Sequence, residues 1–221
     1  MSEAELGPPI IAWLHEAGFD PGVFQEVEIR GDIADMVAVA GPRLAVVELK
    51  LQLSFELLHQ ARRWRGLAHQ VFVGVPYARP SEGRRMAFDV FDTYGIGVLE
   101  VTEGRWSGQT DVEERVRPAF NRNARTDMIR RKLCEEQKTF AAAGSPTGRR
   151  WSPFKATCKR VADFVREHPG ATPREMIEEL GKLHYASDAG ARSRLLALIR
   201  RGVVDGVRLE QDGRRWRLYP V

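Results

Sequence analysis

Hydrophobic residues in the first half of the chain recur at two spacings, one typical of helices and one typical of strands. Over residues 3–17 they recur every three or four positions, which predicts an amphipathic helix that Gly18 ends. Alternating or continuous short apolar runs predict strands over 23–29, 33–40, 43–51, 70–75 and 96–101. Further helical patterns predict helices over 54–67 and near 80–94. This order of elements predicts a mixed α/β domain with three layers over residues 1–103.

The pattern changes after residue 103. Residues 122–143 predict a charged amphipathic helix, and the Gly-Ser-Pro-Thr-Gly run at 144–148 predicts a linker, so we expect residues 104–150 to form a basic helical arm and linker. Residues 151–221 then predict three helices, at 154–168, 173–181 and 187–202, and two strands, at 204–209 and 215–219, joined by an Asp-Gly turn. Three helices and a terminal hairpin are the layout of a small winged helix-turn-helix domain.

The composition is that of a folded protein, because 43% of the 221 residues are hydrophobic and 29% are charged. No apolar run approaches the ~20 residues of a membrane-spanning helix, and the acidic N-terminus has no signal-peptide pattern. Two cysteines, Cys134 and Cys158, give neither a four-cysteine metal site nor a disulfide framework. We therefore expect a cytoplasmic protein without membrane contact. Glycine-rich phosphate-binding motifs are missing, so we expect no nucleotide cofactor.

The net charge of +4 is unevenly distributed along the chain. Residues 1–103 carry 9 lysine and arginine residues against 15 aspartate and glutamate residues, a net charge of −6. Residues 104–221 carry 25 against 15, a net charge of +10. Acidic clusters attract cations and basic surfaces attract phosphate polyanions, so the asymmetry indicates two separate tasks, although plain solvated surface would give the same counts.

Charged residues interrupt the apolar strands of the first domain. In the third predicted strand, Glu48 and Lys50 share a face with Val46, where burying charges without a purpose would be costly. The preceding strand offers Asp32 and Asp35, which are three residues apart and therefore point to opposite faces. We favour Asp35 as the partner of Glu48 because it lies inside the apolar run.

Two carboxylates on adjacent strands form the oxygen-rich site that Mg²⁺ or Mn²⁺ prefers. We expect Asp35 and Glu48 to be metal ligands, with the backbone carbonyl of Leu49 as a further donor. The metal would polarise a scissile phosphate. Lys50 would position or activate the attacking water and offset the charge that develops on phosphorus.

Asp35 followed by Glu48-Leu49-Lys50 resembles the core motif of the PD-(D/E)XK nucleases, which have the restriction-endonuclease-like fold. The resemblance covers residues 1–103 in the order helix, three strands, helix, strand, and Ala34 stands in place of the motif's proline. It implies a Mg²⁺-dependent deoxyribonuclease whose mixed sheet is flanked by helices. A role in DNA repair, recombination, phage biology or host defence would suit such an enzyme.

Two further features resemble members of this superfamily. The segment Gln60-Ala-Arg-Arg-Trp64 resembles the Q-x-x-x-Y element of RecB-like members, which implies that Gln60 supports the active site and contacts DNA. Glu3 or Glu5 on the first helix resembles the helical acidic ligand of many members. The four-cysteine cluster of some RecB-like nucleases is missing, so the resemblance implies no iron–sulfur cluster.

Arginines indicate where DNA would bind. Arg62 and Arg63 follow Gln60 on the same predicted helix, beside the candidate site. A winged helix inserts its third helix into the major groove and contacts the backbone with its hairpin, and arginine donates to both phosphates and guanine edges. The candidate DNA-binding residues of those two elements are Arg192, Arg194, Arg200, Arg201, Arg208, Arg214 and Arg215.

Other interpretations fit the same residues. Glu48 and Lys50 could form a half-exposed ion pair on a sheet face, worth ~0–1 kcal/mol. The nuclease fold could be a scaffold in a non-catalytic DNA-binding or regulatory protein, and the winged helix could bind protein. The substrate could instead be RNA or branched DNA. A nuclease that cuts both strands needs two active sites, which a homodimer would supply.

Overall fold

The computed structural model describes residues 1–20, 22–103, 110–139, 143–144, 152–183, 185–213 and 215–221. The chain divides into two compact units, Met1–Trp151 and Ser152–Val221. Parts of the expected arm and linker, at residues 104–109, 140–142 and 145–150, lie outside the described residues. Among the helices described, none is long and apolar enough to cross a membrane.

A six-stranded mixed sheet forms the centre of the first unit. Its strands are β1 (Gly22–Ile29), β2 (Asp32–Ala40), β3 (Arg43–Leu49), β4 (Gln70–Pro76), β5 (Gly97–Glu103) and β6 (Thr110–Val116). They follow one another across the sheet in chain order. The three strands β3, β4 and β5 run parallel, whereas the β1–β2, β2–β3 and β5–β6 pairs are antiparallel. The helices are α1 (Glu3–Leu14), α2 (Phe55–Trp64), α3 (Glu82–Thr93) and the short α4 (Asp127–Arg130).

Helices cover both faces of this sheet, because the strands alternate apolar side chains between two cores. On one face, Leu6 and Ile10 of α1 share a core with Leu49 of β3. On the opposite face, Leu57 and Trp64 of α2 belong to a second core. The mixed α/β architecture predicted from the sequence is therefore confirmed.

Gly74 of β4 lets α1 approach the sheet closely. A Cβ atom there would lie 2.3 Å from Cδ1 of Ile10 and 2.8 Å from Cδ2 of Leu49, so a larger residue would force both side chains to move. The first turn of α1 carries Glu3. This close packing therefore determines how near Glu3 comes to the end of β3.

The strands of the first unit differ from the prediction at two points. β3 ends at Leu49, not at residue 51, although the amide of Lys50 still donates to the carbonyl of Gly74 at 3.0 Å. Residues 110–116, for which no strand was expected, form β6 at the sheet edge. Only Val116 in this strand is fully buried, so its sequence carries little hydrophobic signal.

The prediction of a long helix over residues 122–143 is wrong. The described residues form only α4 and a 3₁₀ turn at Glu135–Lys138. Just before α4, the amides of Asn121 and Arg125 donate to the carbonyls of His69 and Gly66, at 2.8 and 3.0 Å. These tertiary hydrogen bonds and the burial of Ile129 hold the segment against the rest of the first unit in place of a continuous helix.

The second unit has three helices followed by a two-stranded antiparallel hairpin. The elements are α5 (Pro153–Glu167), α6 (Pro173–Leu180), α7 (Asp188–Arg200), β7 (Val207–Asp212) and β8 (Arg215–Pro220). Ser152, Thr172 and Ser187 cap the three helices, and each side chain accepts a hydrogen bond from a backbone amide three residues later. Leu195 of α7 and Leu218 of β8 share the core, so the hairpin packs on the helices.

Candidate active site

The carboxylate of Asp35 lies against the backbone at the end of β3. Its Oδ2 accepts a hydrogen bond from the amide nitrogen of Leu49 at 2.7 Å. Leu49 stands between Glu48 and Lys50 in the chain. The positive charge of Lys50 lowers the pKa of Asp35, and the charge of Asp35 raises the pKa of Glu48. The structure thus brings together the three residues of the core motif.

Glu48 is buried beneath helix α2. Its side chain is only 4% exposed, and its carboxylate accepts a hydrogen bond from the indole Nε1 of Trp64. Helix α2 begins at the cap residue Ser54, whose hydroxyl accepts from the amide of Leu57 at 3.1 Å. Its buried stripe ends at Trp64, so the helix delivers an indole donor directly to β3. Sequence analysis placed Trp64 in the Q-x-x-x-Y-like element but missed this contact.

Burial raises the pKa values of both carboxyl groups. It raises the pKa of Asp35 to about 7, with a further contribution from the charge of Glu26, while the hydrogen bond from Leu49 opposes the shift. It raises the pKa of Glu48 to about 8, with a further contribution from the charge of Asp35, while the hydrogen bond from Trp64 opposes the shift. A bound cation would favour the ionised form of both acids at neutral pH.

Lys50 pairs with helix α1 and not with its neighbour Glu48. Its Nζ lies 3.2 Å from Oε1 and 3.4 Å from Oε2 of Glu3, and both side chains are about one-third exposed. Burial works against the charged form of Lys50. The hydrogen bond and charge of Glu3 and the charges of Asp35 and Glu56 outweigh burial, so the pKa of Lys50 is raised above its ordinary value.

Gln60 lies one helical turn before Trp64 on α2. Its Nε2 donates weakly to Oε1 of Glu56 at 3.5 Å. Its own Oε1 is buried and has no hydrogen-bond partner within the described residues. Buried polar atoms are nearly always satisfied, so this oxygen is a candidate acceptor for a hydrogen bond.

Glu26 is an acidic residue that sequence analysis missed. The β1–β2 register places it directly opposite Asp35, between two regular residue pairs. It has a φ of +52°, a left-handed conformation that few residues other than glycine adopt. Its Oε1 accepts a hydrogen bond from the amide of Gly144 at 3.0 Å. In the sequence nothing separates it from Glu28, the other acidic residue of β1; the strand register does.

Glu5 lies outside this cluster, so Glu3 is the acidic residue of α1 that reaches the site. The Glu5 carboxylate accepts from the amide of Ser2 at 2.6 Å and forms part of the helix cap. Its side chain is 66% exposed. The two candidates differ because Glu3 begins the helix on its inner side, whereas Glu5 folds back on the N-terminus.

Asp32, Arg62 and Arg63 interact with other side chains at the protein surface. Asp32 forms an ion pair with Arg63 of α2 and not with the residues of the motif. The guanidinium of Arg62 stacks over the ring of Tyr94, 4.5 Å from its centroid. Both arginines are exposed. They lie on the same helix as Gln60 and Trp64, and neither forms a hydrogen bond with the carboxylates of Asp35 or Glu48 in the described residues.

The second unit presents most of its candidate arginines to solvent. The exposed ones are Arg192, Arg194, Arg200, Arg201, Arg208 and Arg215, whereas Arg214 lies outside the described residues. Arg200 stacks over Trp216 at 4.4 Å from the ring centroid. Arg208 pairs with Glu210 and also donates to the carbonyl of Pro220 at 3.2 Å. Arg192 and Arg215 line one cavity together with Trp216.

The donor set at the end of β3 could hold a divalent cation. Within the described residues, no group of three or more histidine, cysteine, aspartate or glutamate side chains is placed to hold a metal ion. The oxygens of Asp35 and Glu48 nevertheless have the chemistry that Mg²⁺ and Mn²⁺ select, and these ions commonly keep several waters. The unsatisfied oxygen of Gln60 would accept from such a water.

Comparisons with known proteins do not assign this site. No protein-family model matches the chain, and no curated protein matches its sequence. The function must therefore be argued from the residues themselves.

Proposed function

We propose that the protein is a metal-dependent nuclease that hydrolyses DNA phosphodiester bonds. In this proposal the first unit is a PD-(D/E)XK-type catalytic domain, and the second is a winged helix-turn-helix that binds DNA. One observation carries the proposal: half-buried Asp35 and buried Glu48 lie at the end of a central strand, next to Lys50 in the chain, and the charge of Asp35 acts on Glu48.

The arrangement argues against a plain surface ion pair. Such a pair would join Glu48 to Lys50 on a half-exposed face, but Lys50 binds Glu3 and Glu48 is 4% exposed. Keeping two neighbouring acids with raised pKa values costs stability when they ionise. Strongly perturbed pairs of this kind cluster at functional sites.

Asp35, Glu48 and the carbonyl of Leu49 would hold the cation. When bound, Mg²⁺ or Mn²⁺ polarises the scissile phosphate and lowers the pKa of water. The chain's own contribution is to fix these oxygens before substrate arrives. The Leu49 amide orients the Asp35 carboxylate, and the Trp64 indole orients that of Glu48. Fixed ligands cost no reorganisation during the reaction.

Lys50 would act as a hydrogen-bond donor and a positive charge. Its raised pKa keeps the ammonium protonated at neutral pH, so it does not accept a proton from water. Glu3 holds the ammonium at the strand end, where it would offset negative charge developing on phosphorus. The buried Oε1 of Gln60 would accept a hydrogen bond from the attacking water and orient it.

The second unit supports DNA as the substrate. Helix α7 carries three of the exposed arginines, Arg201 follows its last residue, and the hairpin carries two more. An array of six to ten phosphate contacts gives strongly salt-dependent DNA binding. Among the described residues, Arg208 of this set pairs with Glu210 and Arg200 stacks over Trp216.

A cleavage assay tests the proposal. Purified protein is incubated with supercoiled plasmid and with single-stranded DNA in Mg²⁺, in Mn²⁺ or in EDTA, beside Lys50→Ala. We expect cleavage that requires the metal and falls at least ~100-fold in the variant. Lack of cleavage of both substrates by folded wild-type protein in either metal would overturn the proposal, as would equal cleavage by Lys50→Ala.

A further inference from the structure

A groove begins between helices α2 and α3, passes the carboxyl ends of β3 and β4, and continues around the N-terminus of α3 to β5 and β6. It consists of three adjoining cavities that share lining residues. Leu53, Gly83 and Ala87 line both the first and the middle cavity. Ala78 and Arg84 line both the middle and the last cavity. We call this depression the α2–α3 groove.

The first end of the groove is apolar. Leu58, Val90 and Phe91 form part of its wall. Phe55 and Met86 lie at its rim and are 82% and 63% exposed. The cavity has a volume of about 310 Å³, within the ~300–1,000 Å³ range of ligand pockets. Phe55 adds little to the protein's own core, so its exposed ring is available to a ligand.

The last end of the groove is cationic. Its lining carries three guanidinium groups, of Arg84, Arg85 and Arg115, against one carboxylate, of Glu100. Glu100 is 2% exposed and binds both Arg84 and Arg115, so it holds these arginines in place. Arg115 also pairs with Glu113, so exposed Arg85 is the guanidinium of this lining that no ion pair within the described residues balances, and a guanidinium is suited to a phosphate.

The middle of the groove adjoins the candidate active site. Leu51 and Gln52, which line it, follow Lys50 directly in the chain. Phe55 precedes Glu56, whose charge acts on the Lys50 ammonium. A ligand lying along the groove would therefore pass beside the residues that carry the proposed chemistry.

We propose that the α2–α3 groove binds an unpaired segment of DNA. A base would stack on Phe55 at the apolar end, and a phosphate would bind Arg84 and Arg85 at the other. The bases of a regular duplex stack on one another and present no free face to such a ring, whereas single-stranded DNA does. Resting on the nuclease function proposed above, this inference names the substrate class as single-stranded or locally unpaired DNA.

Binding of two fluorescent DNA probes tests the inference without relying on cleavage. The probes are a single-stranded 20-mer and the fully paired duplex of the same sequence, titrated in EDTA and followed by anisotropy. The variants are Phe55→Ala and, as a matched control, Phe120→Ala, which removes an exposed ring outside the groove (52% exposed). Thermal unfolding checks that both variants are folded.

We expect Phe55→Ala to weaken single-strand binding by roughly 5- to 30-fold, as loss of one base–aromatic stack of about 1–2 kcal/mol predicts. Duplex binding, and both affinities of Phe120→Ala, should stay within twofold of wild type. Unchanged single-strand affinity in Phe55→Ala would overturn the inference. So would an equal loss for both probes, or a shift of the protein from dimer to monomer in Phe55→Ala, which would make the groove a contact between copies.

Cleavage by the same proteins separates this inference from the proposed function. Metal-dependent cleavage could be lost in Lys50→Ala and yet be unchanged in Phe55→Ala on both probes. That result would support the nuclease function and overturn the assignment of the groove. Absence of any metal-dependent cleavage, together with single-strand binding that depends on Phe55, would overturn the nuclease and support the groove's ligand.

Discussion

The indole of Trp64 donates a hydrogen bond to the carboxylate of Glu48, so the last residue of α2 holds the most buried acid of the site. This contact joins two features that are 16 residues apart in the sequence, the central strand and the helix that follows it. It also explains how an ionisable residue is retained in a strand whose residues from Leu44 to Val47, and Leu49, are packed in the two cores.

Replacing Trp64 by phenylalanine should remove the donor and leave the carboxylate of Glu48 less compensated. We expect a loss of roughly 1–3 kcal/mol in the free energy of unfolding at pH 8, measured with urea. Trp13→Phe is the control, because that ring packs edge-on against Phe72 in the same unit. Equal losses in both variants would show that the hydrogen bond to Glu48 does not matter.

The metal-free protein should lose stability as the pH rises. Folding raises the pKa of Asp35 to about 7 and that of Glu48 to about 8, so between pH ~4 and ~8 the native state binds more protons than the unfolded state. The stabilising protonation is complete below the unfolded pKa values and disappears as the pH passes the folded ones. We expect a fall of several kcal/mol from pH 5 to pH 9 in EDTA, measured by urea unfolding, because each pKa unit corresponds to about 1.4 kcal/mol.

Two additions to that experiment identify the groups responsible. The double variant Asp35→Asn, Glu48→Gln should flatten the pH dependence, because it removes both titrating groups. Mg²⁺ should stabilise the wild-type protein more at pH 9 than at pH 5, since the cation binds the ionised carboxylates. An unchanged slope in the double variant would contradict the assignment.

Substitutions of Glu3 and of Glu5 should have clearly different effects on DNA cleavage. Glu3→Gln weakens the hold on the Lys50 ammonium, so we expect DNA cleavage to fall roughly 10-fold or more. Glu5→Gln changes an exposed capping residue and should leave cleavage within twofold, with at most ~1 kcal/mol of stability lost. Initial rates on plasmid DNA in Mg²⁺ provide the comparison. Similar rates in the two variants would mean that Glu3 has no special role.

Arginines of the second unit should set the salt dependence of DNA binding. Arg192→Ala and Arg215→Ala should each reduce the slope of log K against log salt by ~1, if each contacts one phosphate. Arg166→Ala is a suitable control, because this exposed arginine of α5 is paired with Asp163. Binding is measured by anisotropy on duplex DNA in EDTA. Equal slopes for all three variants and the wild type would place the DNA elsewhere.

Sequence periodicity predicted the strongly patterned elements, and tertiary contacts determined the rest. Strands β1–β5 could be located because their apolar residues alternate or form short runs. β6 could not, since its residues are mostly exposed and it forms through pairing with β5. The segment around α4 does not form one long helix, because the amides of Asn121 and Arg125 donate to the carbonyls of His69 and Gly66.

Within the site, the motif residues could be named in advance but their partners could not. The spacing of Asp35, Glu48 and Lys50 along the chain indicated a common site. The choice of Glu3 over Glu5 depended on which carboxylate reaches Lys50, and this requires the close approach of α1 over Gly74. The position of Glu26 depended on the β1–β2 register, which no local pattern reveals.

The central claim is that Asp35, held by the Leu49 amide, is a metal ligand, whereas Asp32 is a surface residue paired with Arg63. The most direct test compares Asp35→Asn with Asp32→Asn in single-turnover DNA cleavage across a range of Mg²⁺ concentrations. The account predicts a loss of at least ~100-fold in Asp35→Asn and a rate within about threefold of wild type in Asp32→Asn. Wild-type cleavage by folded Asp35→Asn would contradict it.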